Sequence, residues 1–296
     1  MPTLRANGLD VHYLVEGAGP PLVMLHGASS SAAEDWSAQR PSFRQAFRVY
    51  LPDARGHAGT RWDVRHGFST ELLVADLAAF VDGLDLATFH LVGFSMGGMT
   101  ALVYATRHPE RLRTLLIAGI DIAPEPRTSV ARHLMDPARV ERDEPAWAEQ
   151  LERRHGPVQG SGSWRHLLPA IVSEIATQPP LLPAELRRVR VPTLLAYGDR
   201  DVFAPLAHVF ELYRQLPDAR LFVAPDCDHQ VMVSRPALFN AAAGGFYRQT
   251  EVVARARAAG AAGPAPTTVR GAHRAPVPTE LSLDVLPQPA ASEADR

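Results

Sequence analysis

The chain has no lysine: its 30 basic residues are all arginine. That excludes Schiff-base and pyridoxal chemistry, a phosphate-loop lysine and a serine–lysine dyad. Cysteine is almost as scarce. Cys227 is the single one, so there is no intrachain disulfide and no thiolate zinc cluster, and a small buried thiol is its expected role. No apolar run approaches the ~20 residues of a membrane span, and Met1 to Gly8 lack the basic and apolar regions of a secretion signal. The formal net charge is −2, with no long basic run to attract nucleic acid or an anionic membrane. No His-Glu-x-x-His occurs, so no metal site is expected. A cytoplasmic protein is the expectation, with no nucleic-acid or membrane partner and a small molecule left as the partner to look for; the oligomeric state is open.

What is present is an ordinary globular composition, with 46% hydrophobic residues, enough for a sizeable core. Thr3 to Glu16 form two short extended runs around Asn7-Gly8, a hairpin signal. Continuous apolar runs follow at Leu22 to Leu25, Arg48 to Leu51, Phe89 to Val92, Leu115 to Ala118, Thr193 to Tyr197 and Leu221 to Val223. Runs without alternation suit strands buried on both faces of a parallel sheet. Amphipathic stretches at Glu71 to Leu84 and Met96 to His108 lie between them, so an α/β, mostly parallel doubly wound sheet is expected. Residues 122–186 interrupt the rhythm with a helical, strand-poor insertion that would lie over the carboxyl ends of the strands. Pro169 should kink or restart its second long helix. The expected organisation is therefore a core of 1–121 and 187–249, a cap or lid at 122–186, and a disordered Ala/Pro-rich tail at 250–296.

Gly93-Phe94-Ser95-Met96-Gly97 follows one of the buried runs directly. A G-x-S-x-G turn carries serine on a sharp strand-to-helix elbow, where glycines avoid collision with neighbouring backbone. Ser95 is the candidate nucleophile. Its base should be a histidine past another strand, and His229, in the polar loop after Leu221 to Ala224, meets that condition. Asp201 is the expected orienting acid, with Asp121 one strand earlier as the alternative, while Asp199 reads as a turn residue bonding its own backbone. An oxyanion needs preorganised N–H donors. The Met96 amide supplies one, and the turn His26-Gly27-Ala28 supplies the Ala28 amide, with His26 in a structural role. Trp36, Phe94 and Trp164 are candidates for the substrate pocket, although core packing is the commoner fate of such residues.

Taken together, His26-Gly27, Asp53-x-Arg55-Gly56-His57, Gly-x-Ser-x-Gly at Ser95, Gly198-x-x-Asp201 and His229 resemble the α/β-hydrolases with a helical cap. The likeness spans about residues 3 to 249. Serine, acid, then histidine is the order of the catalytic triad in that fold. Ala58 and Thr60 stand where the family usually has glycine and serine, and Asp228 replaces the glycine usual before the histidine. The resemblance implies a cofactor-free serine hydrolase acting on a small-to-medium ester or lactone through an acyl-enzyme. The alternatives are hydrolysis of a carbon–carbon bond in a β-diketone-like acid on the same triad, or a ligand-binding receptor with little turnover.

Overall fold

The computed structural model of the chain describes residues 2–123 and 127–258. It opens on the hairpin of β1 (Thr3–Ala6) and β2 (Leu9–Glu16), whose turn residues Asn7 and Gly8 take φ of 47° and 78°. Two positive φ angles match the twist of paired strands, and asparagine and glycine tolerate them. There follow β3 (Pro21–Leu25), α1 (Ala32–Asp35), α2 (Arg40–Phe43), β4 (Arg48–Pro52), α3 (Thr70–Gly83), β5 (Phe89–Phe94), α4 (Met96–Arg107) and β6 (Leu112–Ala118). A purely helical stretch comes next, with α5 (Arg127–Leu134), α6 (Pro137–Asp143), α7 (Pro145–Gln159), α8 (Trp164–Thr177) and α9 (Pro183–Leu186). The remainder is β7 (Thr193–Gly198), α10 (Leu206–Gln215), β8 (Ala219–Ala224), α11 (Val231–Ser234) and α12 (Pro236–Ala258).

The strands form one sheet in the order β1-β2-β4-β3-β5-β6-β7-β8. β1 and β4 pair with β2 antiparallel, and the other neighbours are parallel. This is the mostly parallel sheet of the α/β-hydrolase fold. The apolar runs divide between the two faces on alternate residues: Val23, Leu25, Leu115 and Ile117 join one core, and Leu22, Met24, Leu116 and Ala118 the other. The first core packs under Leu77, Phe80 and Leu102 of α3 and α4, the second under Phe239 and Phe246 of α12. Helices on both faces are the reason the strands show no polar alternation. The registers Leu25↔Gly93, Phe94↔Ala118, Ala118↔Ala196 and Gly198↔Ala224 bring the carboxyl ends of β3, β5, β6, β7 and β8 to one edge. Loops leaving that edge converge, as ligand-binding loops of open α/β sheets do.

Two expectations change. Pro169 does not restart α8, which spans Trp164–Thr177 with the proline inside it. Both Pro169 and Arg165 are exposed, so the carbonyl that loses its helical partner can reach water. Residues 250–258, expected within the tail, instead continue α12 to Ala258 through a stretch rich in alanine and arginine, both good helix formers. The rest of that expected tail, 259–296, lies outside the described residues. Contacts divide the chain into Met1–Glu251 and the part from Val252 onward. Among the described residues no helix is long and apolar enough to cross a membrane.

Candidate active site

β5 ends at Phe94 and α4 begins at Met96, leaving Ser95 alone to turn the chain, at φ 51° and ψ −115°. Serine rarely adopts this conformation. It is held by Ser95 N–H donating to Ala118 O (2.9 Å) and Gly97 N–H donating to His26 O (3.1 Å). The glycines are required by contact. A Cβ on Gly93 would lie 2.2 Å from Gly97 O, and one on Gly97 would lie 2.5 Å from His26 O.

His229 Nε2 stands 3.0 Å from Ser95 Oγ. Its Nδ1 is 2.9 and 3.0 Å from the two carboxylate oxygens of Asp201. Asp201 Oδ1 also accepts from the Phe203 and Ala204 amides (2.8 and 3.2 Å), so the carboxylate is held against rotation. With Asp201 accepting at Nδ1, the neutral ring carries its proton there and offers Nε2 to the serine hydroxyl. The β7 and β8 loops can approach this closely because of Gly198, where a Cβ would lie 2.1 Å from Cys227 O. Asp199 is the expected turn residue, its carboxylate hydrogen-bonding to its own backbone N–H. It also accepts the Cys227 N–H (3.0 Å) and so braces the loop that carries His229. Asp228 uses its carboxylate on Gln230 N–H and Ser234 Oγ–H, an Asx turn that shapes the loop where the family usually has glycine. Cys227 itself is buried.

Asp121, the alternative acid, is committed elsewhere: its Oδ2 pairs with His208 Nδ1 at 2.7 Å and its Oδ1 accepts from Ala123 N–H. The structure brings Asp201, not Asp121, to His229.

The turn after β3 is fixed on both sides of Ala28. Gly27 N–H donates to Asp35 Oδ2 (2.8 Å) and Ser29 N–H to His57 Nε2 (3.1 Å). Neither the Ala28 nor the Met96 amide has a hydrogen-bond acceptor among the described residues. Both residues line the cavity that contains Ser95, which suits two donors placed for an oxyanion. His26 lies behind the turn, donating from Nδ1 to Gly27 O (2.7 Å) and accepting Ala54 N–H at Nε2 (2.9 Å). Ala58 adopts φ 39°, the left-handed region that explains the family's usual glycine there. Thr60 is buried, its hydroxyl donating to Asp53 O (2.7 Å) and accepting from His12 N–H (2.9 Å).

The cavity above Ser95 has a volume of 360 Å³, in the range of small-molecule sites. Of the aromatic candidates, Phe94 lines it and packs against the His229 ring, centroids 5.0 Å apart. Trp36 and Trp164 do not. Trp36 is fully buried in the second core beside Phe239, and Trp164 anchors a small core with Val140, Leu151 and Leu168 inside the helical insertion. Their size favours burial where flat apolar surface is greatest. Sequence reading misses Phe203, whose ring lies 4.5 Å from the His229 ring centroid, and Gly119, which leaves room for that ring. Phe203 follows Asp201 by two residues, and that spacing is the available signal. Met99 and Ile120 from the core and Met135, Trp147 and Ile171 from the insertion add apolar wall, and the carboxyl side chains of Glu174 and Asp228 line the cavity as well.

The profile of the alpha/beta hydrolase family matches residues 22–242. The chain is 28% identical over 270 residues to a 2-hydroxy-6-oxo-6-phenylhexa-2,4-dienoate hydrolase of Comamonas testosteroni, covering 81% of this chain and 91% of that one. It is 27% identical over 249 residues to a pimeloyl-[acyl-carrier protein] methyl ester esterase of Nitrosospira multiformis, covering 75% and 92%. Among solved structures, an N-acyl homoserine lactone degrading enzyme aligns with a TM-score of 0.66 and 26% identity, over 83% of this chain and all (100%) of that one.

Proposed function

The chain belongs to the alpha/beta hydrolase family, and from that membership we propose that it is a serine hydrolase cleaving a neutral carboxylic ester or lactone through an acyl-enzyme. The observation that carries this reading is the unbroken line from Asp201 through His229 to Ser95 Oγ, at 2.9 and 3.0 Å, opening into the cavity beside two unengaged amides. Ser95 Oγ attacks the carbonyl carbon as His229 Nε2 takes its proton. The carbonyl oxygen, now negative, is held by the Ala28 and Met96 amides, each worth roughly 3 kcal/mol in the barrier. Collapse breaks the carbon–oxygen bond, and the proton on Nε2 passes to the departing alkoxide. A water then repeats the sequence on the acyl-enzyme, its proton going to Nε2 and on to Ser95 as the acid leaves. The 122–186 insertion is the cap that sets substrate choice, and no cofactor enters the cycle.

A neutral substrate is supported by the charges on the cavity wall. The arginine lining it among the described residues is Arg200, which is engaged in ion pairs with Asp199 and Asp226. A substrate carboxylate would compete with those partners for the guanidinium and would face the acidic side chains of Glu174 and Asp228 on the same wall. Carbon–carbon hydrolysis of a dienoate-type keto acid is the second reading, favoured by the likeness to the Comamonas testosteroni enzyme.

Intact-mass detection of a fluorophosphonate adduct tests the nucleophile, beside Ser95→Ala and His229→Ala. One adduct on the wild type and none on Ser95→Ala is expected. A panel of esters, lactones and dienoate keto acids then separates the readings: turnover confined to the keto acids would replace the ester reading with the second one.

A further inference from the structure

Ser29, the residue after Ala28, is gripped at both its N–H and its carbonyl and holds φ 59°. Its N–H donates to His57 Nε2 (3.1 Å). Its carbonyl accepts from Arg154 Nη1 (2.5 Å) and from His155 Nε2 (3.2 Å). Those last two residues belong to α7 of the insertion, 125 and 126 positions further along the chain.

The proton on His155 is determined by its other nitrogen. Nδ1 accepts Ala58 N–H at 3.0 Å, so the hydrogen of the neutral ring must sit on Nε2, facing Ser29 O. The ring is fully buried, stacked edgewise on His57 with centroids 5.5 Å apart. Arg154 is further anchored by an ion pair with Glu34. The last two residues of α7 are stitched to the core as well. Val158 O accepts from Arg61 Nε (3.1 Å), and Gln159 donates to Thr60 O (2.7 Å) and accepts Trp62 N–H (3.0 Å). This end of α7 is therefore tied to the loop after β4 as firmly as to the turn after β3.

We propose that His155 and Arg154 are positioning residues: from the insertion they hold the Ser29 peptide so that the Ala28 N–H points at the oxyanion. The Ala28 N–H shares its peptide with Gly27 O, which accepts from His26 Nδ1 (2.7 Å), and the chain on either side is held by Asp35 on Gly27 N–H and, from the insertion, by the α7 pair on the Ser29 carbonyl. The α7 side of the insertion is thus part of the catalytic frame, beyond any role in choosing substrate. This rests on the serine-hydrolase reading above.

The test compares wild type with His155→Phe, His155→Gln and Arg154→Gln, each checked for folding by thermal melting. Kinetics are measured on a short ester, together with inhibition by an alkyl trifluoromethyl ketone, whose serine adduct places an oxyanion in the hole, and by the matching alcohol, which forms no adduct. In His155→Phe, kcat falls at least about tenfold with KM within about twofold, and ketone affinity weakens in parallel while alcohol affinity holds. His155→Gln, which keeps a donor for Ser29 O, recovers part of both losses. If His155→Phe does not fold, Arg154→Gln carries the same comparison. Folded variants with wild-type kcat and ketone affinity would overturn the positioning role and leave the hydrolase reading standing. A wild type that neither turns over esters nor forms the ketone adduct would remove both.

Discussion

Gly119 makes room for His229: a Cβ on Gly119, which holds φ 63°, would lie 3.0 Å from the imidazole Cε1. Gly119→Ala therefore pushes the ring off its line to Ser95. A displacement of this kind costs on the order of a hundredfold in kcat, and the left-handed backbone adds about 1–2 kcal/mol of destabilisation. Steady-state kinetics beside a melting curve check both. Unchanged kcat would mean the ring does not need this space.

Asp201→Asn should keep the fold and lower kcat by about 10⁴, because an amide no longer enforces the tautomer His229 needs. Asp121→Asn loses its ion pair with His208 but does not touch His229, so kcat should stay within about threefold. The reverse ranking would move the acid role to Asp121.

Trp164 and Phe203 should separate stability from catalysis. Trp164→Ala empties the centre of the insertion's core and costs about 3–5 kcal/mol, read by urea unfolding. Phe203→Ala, at the half-buried cavity wall against His229, should change kcat/KM more than it changes the unfolding midpoint.

Acid should weaken the fold through its buried imidazoles. Burial holds His90 and His155 down to about 4 and pushes His57 well below its ordinary value of 6.5. The unfolded chain takes up protons that the folded one refuses, so their contribution is full above pH 6.5 and declines as pH falls from 6.5 toward 4. Each such group contributes a slope of about 1.4 kcal/mol per pH unit in that window. Melting temperature against pH tests this, and His155→Gln should show a shallower decline than wild type.

The elbow at Ser95, the strands and the order of Ser95, Asp201 and His229 are legible in the sequence because each depends on a few adjacent residues: glycine spacing, apolar runs, polar loops after strands. Asp121 and Asp201 both follow strands, and their partners, His208 and His229, are settled by tertiary placement. The same holds for Trp36 and Trp164, whose surroundings are assembled from distant segments. The grip of Arg154 and His155 on Ser29 is invisible for that reason. Nothing in the local pattern of a charged helix marks which side chains turn inward.

The shared edge of β3, β5, β6, β7 and β8 means that Ala28, Ser95, Asp201 and His229 come together only when strands from β3 through β8, spread over most of the chain, have paired. Reactivity at Ser95 is consequently a gauge of complete assembly. A nascent or partly unfolded chain would carry an inert serine, and covalent labelling during denaturation should vanish together with the global transition rather than ahead of it.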